Sequence, residues 1–235
     1  MADDESWQTQ VSVLAALDEP TRRRLYDYVV RQHEPVSRDD AAAAVQVPRT
    51  TAAFHLERLT DEGLLSVVHE RRTGRTGPGS GRPSKLYRRS EQQIDLSLPQ
   101  RRYELAGQLL AASIDEAAKS GQSPRAVLER RATELGRQLG HAARIAQTSN
   151  DSHETVMRAL EGYGFEPRTE NAEILLGNCP FHRLAQQHTD LVCGMNLCLL
   201  DGLLDGLTGT GLVPRLEPTP GRCCVRLQQV DRRHR

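Results

Sequence analysis

The sequence predicts an α+β chain in three parts, and three observations carry that prediction. Short amphipathic helices ending in a basic hairpin pattern fill the first stretch, and long Ala/Leu/Arg/Glu helices follow. A last segment of mixed helices and strands holds all five cysteines. The boundaries read as 1–95, 96–150 and 151–235.

A chain of 235 residues buries a core without cross-links. The opening MADDESWQTQ is acidic and polar with no apolar run behind it, so no signal peptide is expected. The longest apolar stretches are broken by Gly, Asp and Arg, well short of the roughly 20 residues of a membrane span. The expectation is a cytoplasmic protein without a membrane partner, in a compartment where thiols stay reduced. Clustered cysteines there point to metal or redox chemistry more than to structural bridges.

Formal charge is zero, with 31 basic and 31 acidic residues, but the distribution is uneven. Between Glu70 and Arg89 stand Arg71, Arg72, Arg75, Arg82, Lys85, Arg88 and Arg89 against Glu70 alone, a local excess of six positive charges. The field that matters to a phosphate is the one within about 10 Å, so a local patch suffices.

The first helix is expected over Trp7 to Leu17, with Val11, Val13, Leu14 and Leu17 apolar. In DEPTRRRLYDYVV, Thr21 is the expected N-cap of a second helix that buries Leu25, Tyr28 and Val29. Ser37 and Asp40 form a variant capping box before the Ala-rich helix Asp39 to Val45. Val47-Pro48 is a short turn, with Pro48 at the first position of the next helix.

That helix, RTTAAFHLERLTDEG, turns Ala52, Leu56 and Leu59 inward and places Gly63 at its C-terminal cap. The outer face carries Arg49, Thr50, Thr51, Phe54, His55 and Arg58, short and donor-rich near the helix start. A helix with this face after a tight turn suits a helix-turn-helix entering a major groove about 12 Å wide. LLSVVHE and KLYRR then read as two strands around the basic tip RRTGRTGPGSGRPS, a β-hairpin wing. Its glycines permit close backbone approach, and its arginines supply charge for phosphates. Arg75, Arg82 and Lys85 are the candidate phosphate contacts of the wing.

With PRTTAAFHLERLTDEGLL and GRPSKLYR as they stand, this order resembles the ArsR-type winged-helix repressors over about the first ninety residues. The resemblance implies a winged helix-turn-helix that binds double-stranded DNA.

LPQRRYELAGQLLAASIDEAA and SPRAVLERRATELGRQLGHAARIA are amphipathic helices separated by a Gly-Gln-Ser-Pro break. One winged helix covers one half-site, so these helices and the first helix are candidates for a homodimer interface. Beyond them, HETVMRALEGYG reads as a helix, GFEPRTE and AEILLGNC as a strand pair, and PFHRLAQQHTDLVCGMNLCLLDGLLDGL as two helices. LVPRLEP and CCVRLQQV close a small α+β cysteine-containing sensor domain. The cysteines fall at element ends: Cys179 at a strand-to-helix corner, Cys193 in the first turn of a helix, Cys223 and Cys224 entering the last strand.

Intervals of thirteen, four and twenty-four residues separate Cys179, Cys193, Cys198 and Cys223, with no CxxC. That spacing counts against a zinc ribbon or a thioredoxin-type pair, although His182 and His188 leave a Cys/His zinc set open. Cys198 stands among leucines and reads as a small packed hydrophobe. NCPFH, LVCGMN and GRCCVRL resemble, at Cys179, Cys193 and Cys224 or its neighbour Cys223, the SufR-type iron-sulfur-sensing repressors. That resemblance implies a cluster of the [4Fe-4S] type on three widely spaced cysteines and a dimeric repressor. The adjacent pair leaves the third ligand ambiguous. Alternation along CCVRL sends Cys223, Val225 and Leu227 one way and Cys224 the other, which favours Cys224. Cys223, His182 or a small molecule remain for a fourth position.

Zinc or a thiol switch is the competing reading of the same cysteines. An enzyme is disfavoured, because no nucleophile elbow, phosphate loop or paired acids in a Gly-rich frame is present and no catalytic residue emerges.

Overall fold

A computed structural model describes residues 2–70, 84–146, 151–219 and 221–230. The chain divides into two units, Met1–Leu96 and Ser97–Arg235.

The first unit runs α1 (Ala2–Ala16), α2 (Pro20–Val30), β1 (Val36–Ser37), α3 (Arg38–Val45), α4 (Arg49–Asp61), β2 (Leu65–Glu70) and β3 (Ser84–Arg89). The cap of α2 is Glu19, not the expected Thr21. Its carboxylate accepts from the Thr21 and Arg22 N–H groups, and Pro20 occupies the first helical position, where no N–H is needed. The Ser37–Asp40 box forms as its spacing predicts. Ser37 Oγ accepts from Asp40 N at 3.2 Å and donates to Asp40 Oδ2 at 2.7 Å. Gln46 closes α3 in the left-handed region at φ 57°, and Val47 N–H returns to Ala42 O at 3.0 Å. That bond fixes the tight turn into α4. Pro48 serves as the N-cap residue of α4, one position before the expected place.

Ala52, Leu56 and Leu59 are fully buried against Leu25, Val29, Ala41 and Tyr87. Gly63, at φ +73°, ends α4 and turns the chain into β2. The sheet order is β1-β3-β2, antiparallel throughout, with Val67 opposite Tyr87. The two-residue β1 escaped the sequence reading because so short an edge strand has no period to detect. Residues 71–83, the tip of the expected wing with Arg75 and Arg82, lie outside the described residues.

The second unit contains α5 (Tyr103–Ser120), α6 (Pro124–Ile145), α7 (Ser152–Gly162), β4 (Pro167–Glu170), β5 (Glu173–Leu176), α8 (His182–Gln187), α9 (Thr189–Leu207), β6 (Leu212–Leu216) and β7 (Val225–Gln229). The strands form one antiparallel sheet of order β4-β5-β7-β6. Ala106, Leu109, Leu128 and Ala132 of the two long helices join one buried cluster with Ile174, Leu200, Leu204, Val225 and Leu227. The sequence reads 96–150 as a separate linker, whereas residues from Ser97 onward group with the segment that follows.

Glycine is the reason. Gly136 and Gly140 on α6 face Gly202 and Gly206 on α9. A Cβ built on any of the four would overlap a backbone carbonyl oxygen of the other helix, those of Leu199, Leu203, Thr133 and Arg137 in turn. Two helices touching through backbone cannot be parted without opening the core. This crossing seats α9, and with it Cys193 and Asn196. Cys193 lies beyond the first turn of α9, which starts at Thr189, and not within that turn as the sequence suggested.

Gly136→Ala is therefore expected to destabilise the second unit by about 1–3 kcal/mol, since the methyl group meets main chain that cannot rotate away. Gly107→Ala, in the exposed interior of α5 with nothing within 4 Å of the added Cβ, should instead stabilise by about 0.5–1 kcal/mol. Urea unfolding of the full chain distinguishes the two directions.

Candidate nucleic-acid interface and cysteine site

The outer face of α4 is the product of its inner one. Because Ala52, Leu56 and Leu59 point to the core, Arg49, Thr50, Phe54 and Arg58 are left exposed and Thr51 partly so. Phe54 is 67% exposed, a large ring with no core role. No side chain caps the first turn of α4 and that turn holds no acid, so its free N–H groups add to the donor character of this end. Arg49 pairs with Asp39 at 2.6 Å on the surface, and Arg58 pairs with Glu62 one turn along.

His55 differs from its expected outward position. Its side chain is only 12% exposed, turned towards Glu19 with Nδ1 3.5 Å from the carboxylate. The i+3 step from Ala52 puts it at the edge of the inner face, where the cap of α2 is waiting.

The wing base is tied to α4 through Glu57. Its carboxylate accepts from Lys85 Nζ at 2.6 Å and from the Tyr87 hydroxyl at 2.8 Å. Lys85, expected on phosphate, thus has its ammonium against Glu57. These donors hold the Glu57 carboxyl below the usual range, and the Lys85 hydrogen bond is the largest cause. Burial, together with donation to Glu57, pushes the Tyr87 phenol above its usual range. Arg88 and Arg89 are exposed on β3.

In the second unit four of the cysteines are engaged as two pairs. Cys193 of α9 and Cys224 are joined as a disulfide, with their Cα atoms 6.5 Å apart. Cys223 and Cys179 are both buried free thiols in hydrogen-bond contact. That bond lowers the Cys179 pKa, helped by the Phe181 N–H and the Arg101 charge against the opposing cost of burial. The same bond, then burial, raises Cys223 far above the thiol range. The bond thus favours the thiolate at Cys179 and the thiol at Cys223.

The corners are held by backbone. Cys223 N–H donates to Leu176 O at 3.0 Å, and His182 N–H donates to Cys179 O at 3.0 Å. Arg101 donates to Cys179 O at 3.1 Å and also to Asn178 Oδ1, while Asn178 spans to Gln100 O and Gly164 O. Asn196, 1% exposed, donates from Nδ2 to Cys223 Sγ at 3.4 Å.

Cys223 turns inward with Val225 and Leu227, and Cys224 is less buried, the alternation that CCVRL suggested. Cys198 stands apart, half-buried on the side of α9 that meets Thr133 and Glu129 of α6. His182 and His188 are exposed. Among the described residues no group of three or more His, Cys, Asp or Glu side chains is arranged to hold a metal ion. With Cys193 bonded to Cys224, only Cys179 and Cys223 remain as free donors at this place.

A family model described as a helix-turn-helix domain matches residues 17–68, from the end of α1 through α4 into β2. The first unit carries a helix-turn-helix domain. Comparison with curated proteins and with solved structures gives no match. With its helix-turn-helix domain the chain is a DNA-binding transcriptional regulator in broad class, and no described helix is long and apolar enough to cross a membrane.

Glu57, Arg101, Asn178 and Asn196 were missed by sequence reasoning. Glu57 and Arg101 have partners 28 and 78 residues away, so nothing local marks them. Asn196 did leave a signal, as a lone amide in the apolar run LVCGMNLCLL, three residues after Cys193.

Glu57→Ala would strand the Tyr87 hydroxyl, whose residue is 2% exposed, at a cost of about 1–3 kcal/mol to the helix-turn-helix domain. A carboxyl depressed in the folded state stabilises above its unfolded pKa, and that contribution disappears as pH falls through its folded pKa. Wild type should therefore lose stability as pH drops through and below the ordinary glutamate range, and Glu57→Gln should flatten that part of the profile. Thermal unfolding across acidic pH measures both effects.

Proposed function

We propose that the protein is a sequence-specific, homodimeric transcriptional regulator, a repressor, whose second unit holds an iron-sulfur cluster of the [4Fe-4S] type that modulates DNA affinity. The observation that carries the sensing part is the pairing of cysteines from separate stretches of chain, Cys193 with Cys224 and Cys179 with Cys223, the two pairs linked by the adjacency of Cys223 and Cys224 in the chain.

The donor set fits a thiolate-bound cluster in kind. Cys179, Cys193 and Cys223 are buried and Cys224 is partly so, and Asn196, whose Oδ1 is buried without a partner, bonds Cys223. Cys193 and Cys224 become available as ligands when their bond takes up two electrons and two protons to give two thiols. Arg101 and the Phe181 N–H favour the charged form of Cys179, the form a metal needs. A cluster bound there would supply a centre sensitive to oxidants and iron, tying the Cys179 corner to α9 and the start of β7.

On the DNA side, Arg49, Thr50, Thr51 and Phe54 would meet base edges, with His55 at the rim of that face. Arg58, Arg75, Arg82 and Lys85 would meet phosphates, Lys85 after exchanging Glu57 for the backbone. Each bidentate base contact is worth about 1–3 kcal/mol of discrimination, and a tenfold change in affinity needs only about 1.4 kcal/mol of coupling. Val11 and Leu14 of α1 and Ile114 of α5 are exposed apolar side chains on the helices assigned to self-association.

A thiol switch without a cluster is the second reading, favoured by the Cys193–Cys224 bond itself. Colour separates the two. Protein purified without oxygen should be brown, with iron and sulfide bound. Colourless protein that cycles between dithiol and disulfide supports the switch, and colourless protein with stoichiometric zinc supports a zinc site.

In gel-shift titrations against a selected duplex, Arg49→Ala should weaken specific binding by about 1–3 kcal/mol. Arg82→Ala should weaken all duplexes alike and lower the salt slope by about one. Binding that shows no sequence preference, or that ignores both substitutions, would contradict the assignment.

A further inference from the structure

Glu57 is out of character on the face that α4 presents. Thr50, Phe54 and Glu57 follow one another at i, i+4 and i+7, so the carboxylate lies in the row of side chains proposed to meet DNA. A free acid there would repel phosphate. This one is engaged from two other elements. It accepts from the Tyr87 hydroxyl at 2.8 Å and from Lys85 Nζ at 2.6 Å, both on β3, and the charge of Arg38 at the start of α3 acts on it as well. Among the described residues, every side-chain hydrogen bond between α4 and the hairpin ends on Glu57.

The two donors differ in how firmly they are placed. Lys85 is exposed, with its ammonium 5.5 Å from the centre of the Tyr87 ring, and can turn to a phosphate. Tyr87 cannot move in that way. It is 2% exposed on the central strand of its sheet, opposite Val36 of β1 and Val67 of β2, and it belongs to the core that holds Leu56 and Leu59 of α4. The Tyr87–Glu57 bond therefore persists after Lys85 has left.

We infer that Glu57 is a positioning residue of the DNA interface: its bond to the Tyr87 hydroxyl fixes the base of the wing against α4, so that base-reading and phosphate-binding side chains meet the duplex in one register. This rests on the DNA-binding reading above. Phosphate contacts orient a protein on the duplex, whereas base contacts distinguish sequences. A specific complex needs both at once and gains from a wing already in place, while a non-specific complex needs phosphates alone, in any register. Without the tie, the specific complex draws on the fraction of molecules whose wing is aligned, and its apparent affinity falls by that fraction.

The test uses the full chain and fluorescence anisotropy on two duplexes, one recovered from a randomised pool by the wild-type protein and one of the same composition with its sequence scrambled. Wild type is compared with Glu57→Ala, Glu57→Gln and Tyr87→Phe below the melting temperature of the least stable variant. Tyr87→Phe removes the bond without stranding a hydroxyl, and it decides the matter where Glu57→Ala fails to fold.

Glu57→Ala and Tyr87→Phe should each lose about fivefold of the preference for the selected duplex, all of it as weaker binding to that duplex, with scrambled DNA bound no more weakly than by wild type. Glu57→Gln, whose amide oxygen still accepts from Tyr87, should keep the preference within about twofold. Equal weakening on both duplexes, or an undiminished preference in Tyr87→Phe, overturns the inference. So does a Glu57→Gln that loses as much as Glu57→Ala, because the bond to Tyr87 would then not be what matters. A wild type that recovers no sequence from the pool overturns the DNA-reading assignment instead, a distinguishable result.

Discussion

The register of β7 against β5 is the constraint on which the second unit's chemistry turns. Ile174 lies opposite Leu227, and one main-chain bond, Cys223 N–H to Leu176 O, pins the corner before the strand. Side chains alternate along a strand, so a slip of one residue would exchange the two cysteines, sending Cys224 towards Cys179 and Cys223 away. Val225 and Leu227, both buried, oppose that slip, because it would move them out of the core as well. A single hydrogen bond is worth only about 0.5–1.5 kcal/mol, but here the hydrophobic pattern and the bond specify the same register.

The α6–α9 crossing plays the matching part for the other half of the site. Four glycines let the two backbones touch, so α9 has one axial position against α6 and Cys193 one place relative to Cys224. Sequence patterns that read only as helix-breaking or spacing residues, the glycines of ELGRQLGH and LDGLLDGL, thereby set where a sulfur stands.

Much of this was legible beforehand. Apolar spacing at Ala52, Leu56 and Leu59 gave α4 and its outer face, the Ser37–Asp40 box gave the start of α3, and Gly63 gave the turn into the hairpin. The strands β5, β6 and β7 of the second sheet stood as runs of apolar and β-forming residues between glycines, prolines and acids. What stayed hidden depends on partners distant in the chain. Glu19 caps a helix because Pro20 follows it, yet its pairing with His55 joins residues 36 positions apart and turns that ring inward. Glu57 and Asn196 likewise acquire meaning only from Tyr87 and Cys223. Linear spacing indicated that Cys179, Cys193, Cys223 and Cys224 fall at element ends, but only the packing pairs the first with the third and the second with the fourth.

Peptide mapping of the full, metal-free chain after oxidation with diamide and alkylation under denaturing conditions tests the central claim most directly. The account predicts that Cys179, Cys193, Cys223 and Cys224 are recovered only in disulfides with one another, and Cys198 only as the alkylated thiol. Recovery of Cys179 or Cys193 as alkylated thiols, or of Cys198 in a disulfide within the monomer, would contradict a common site.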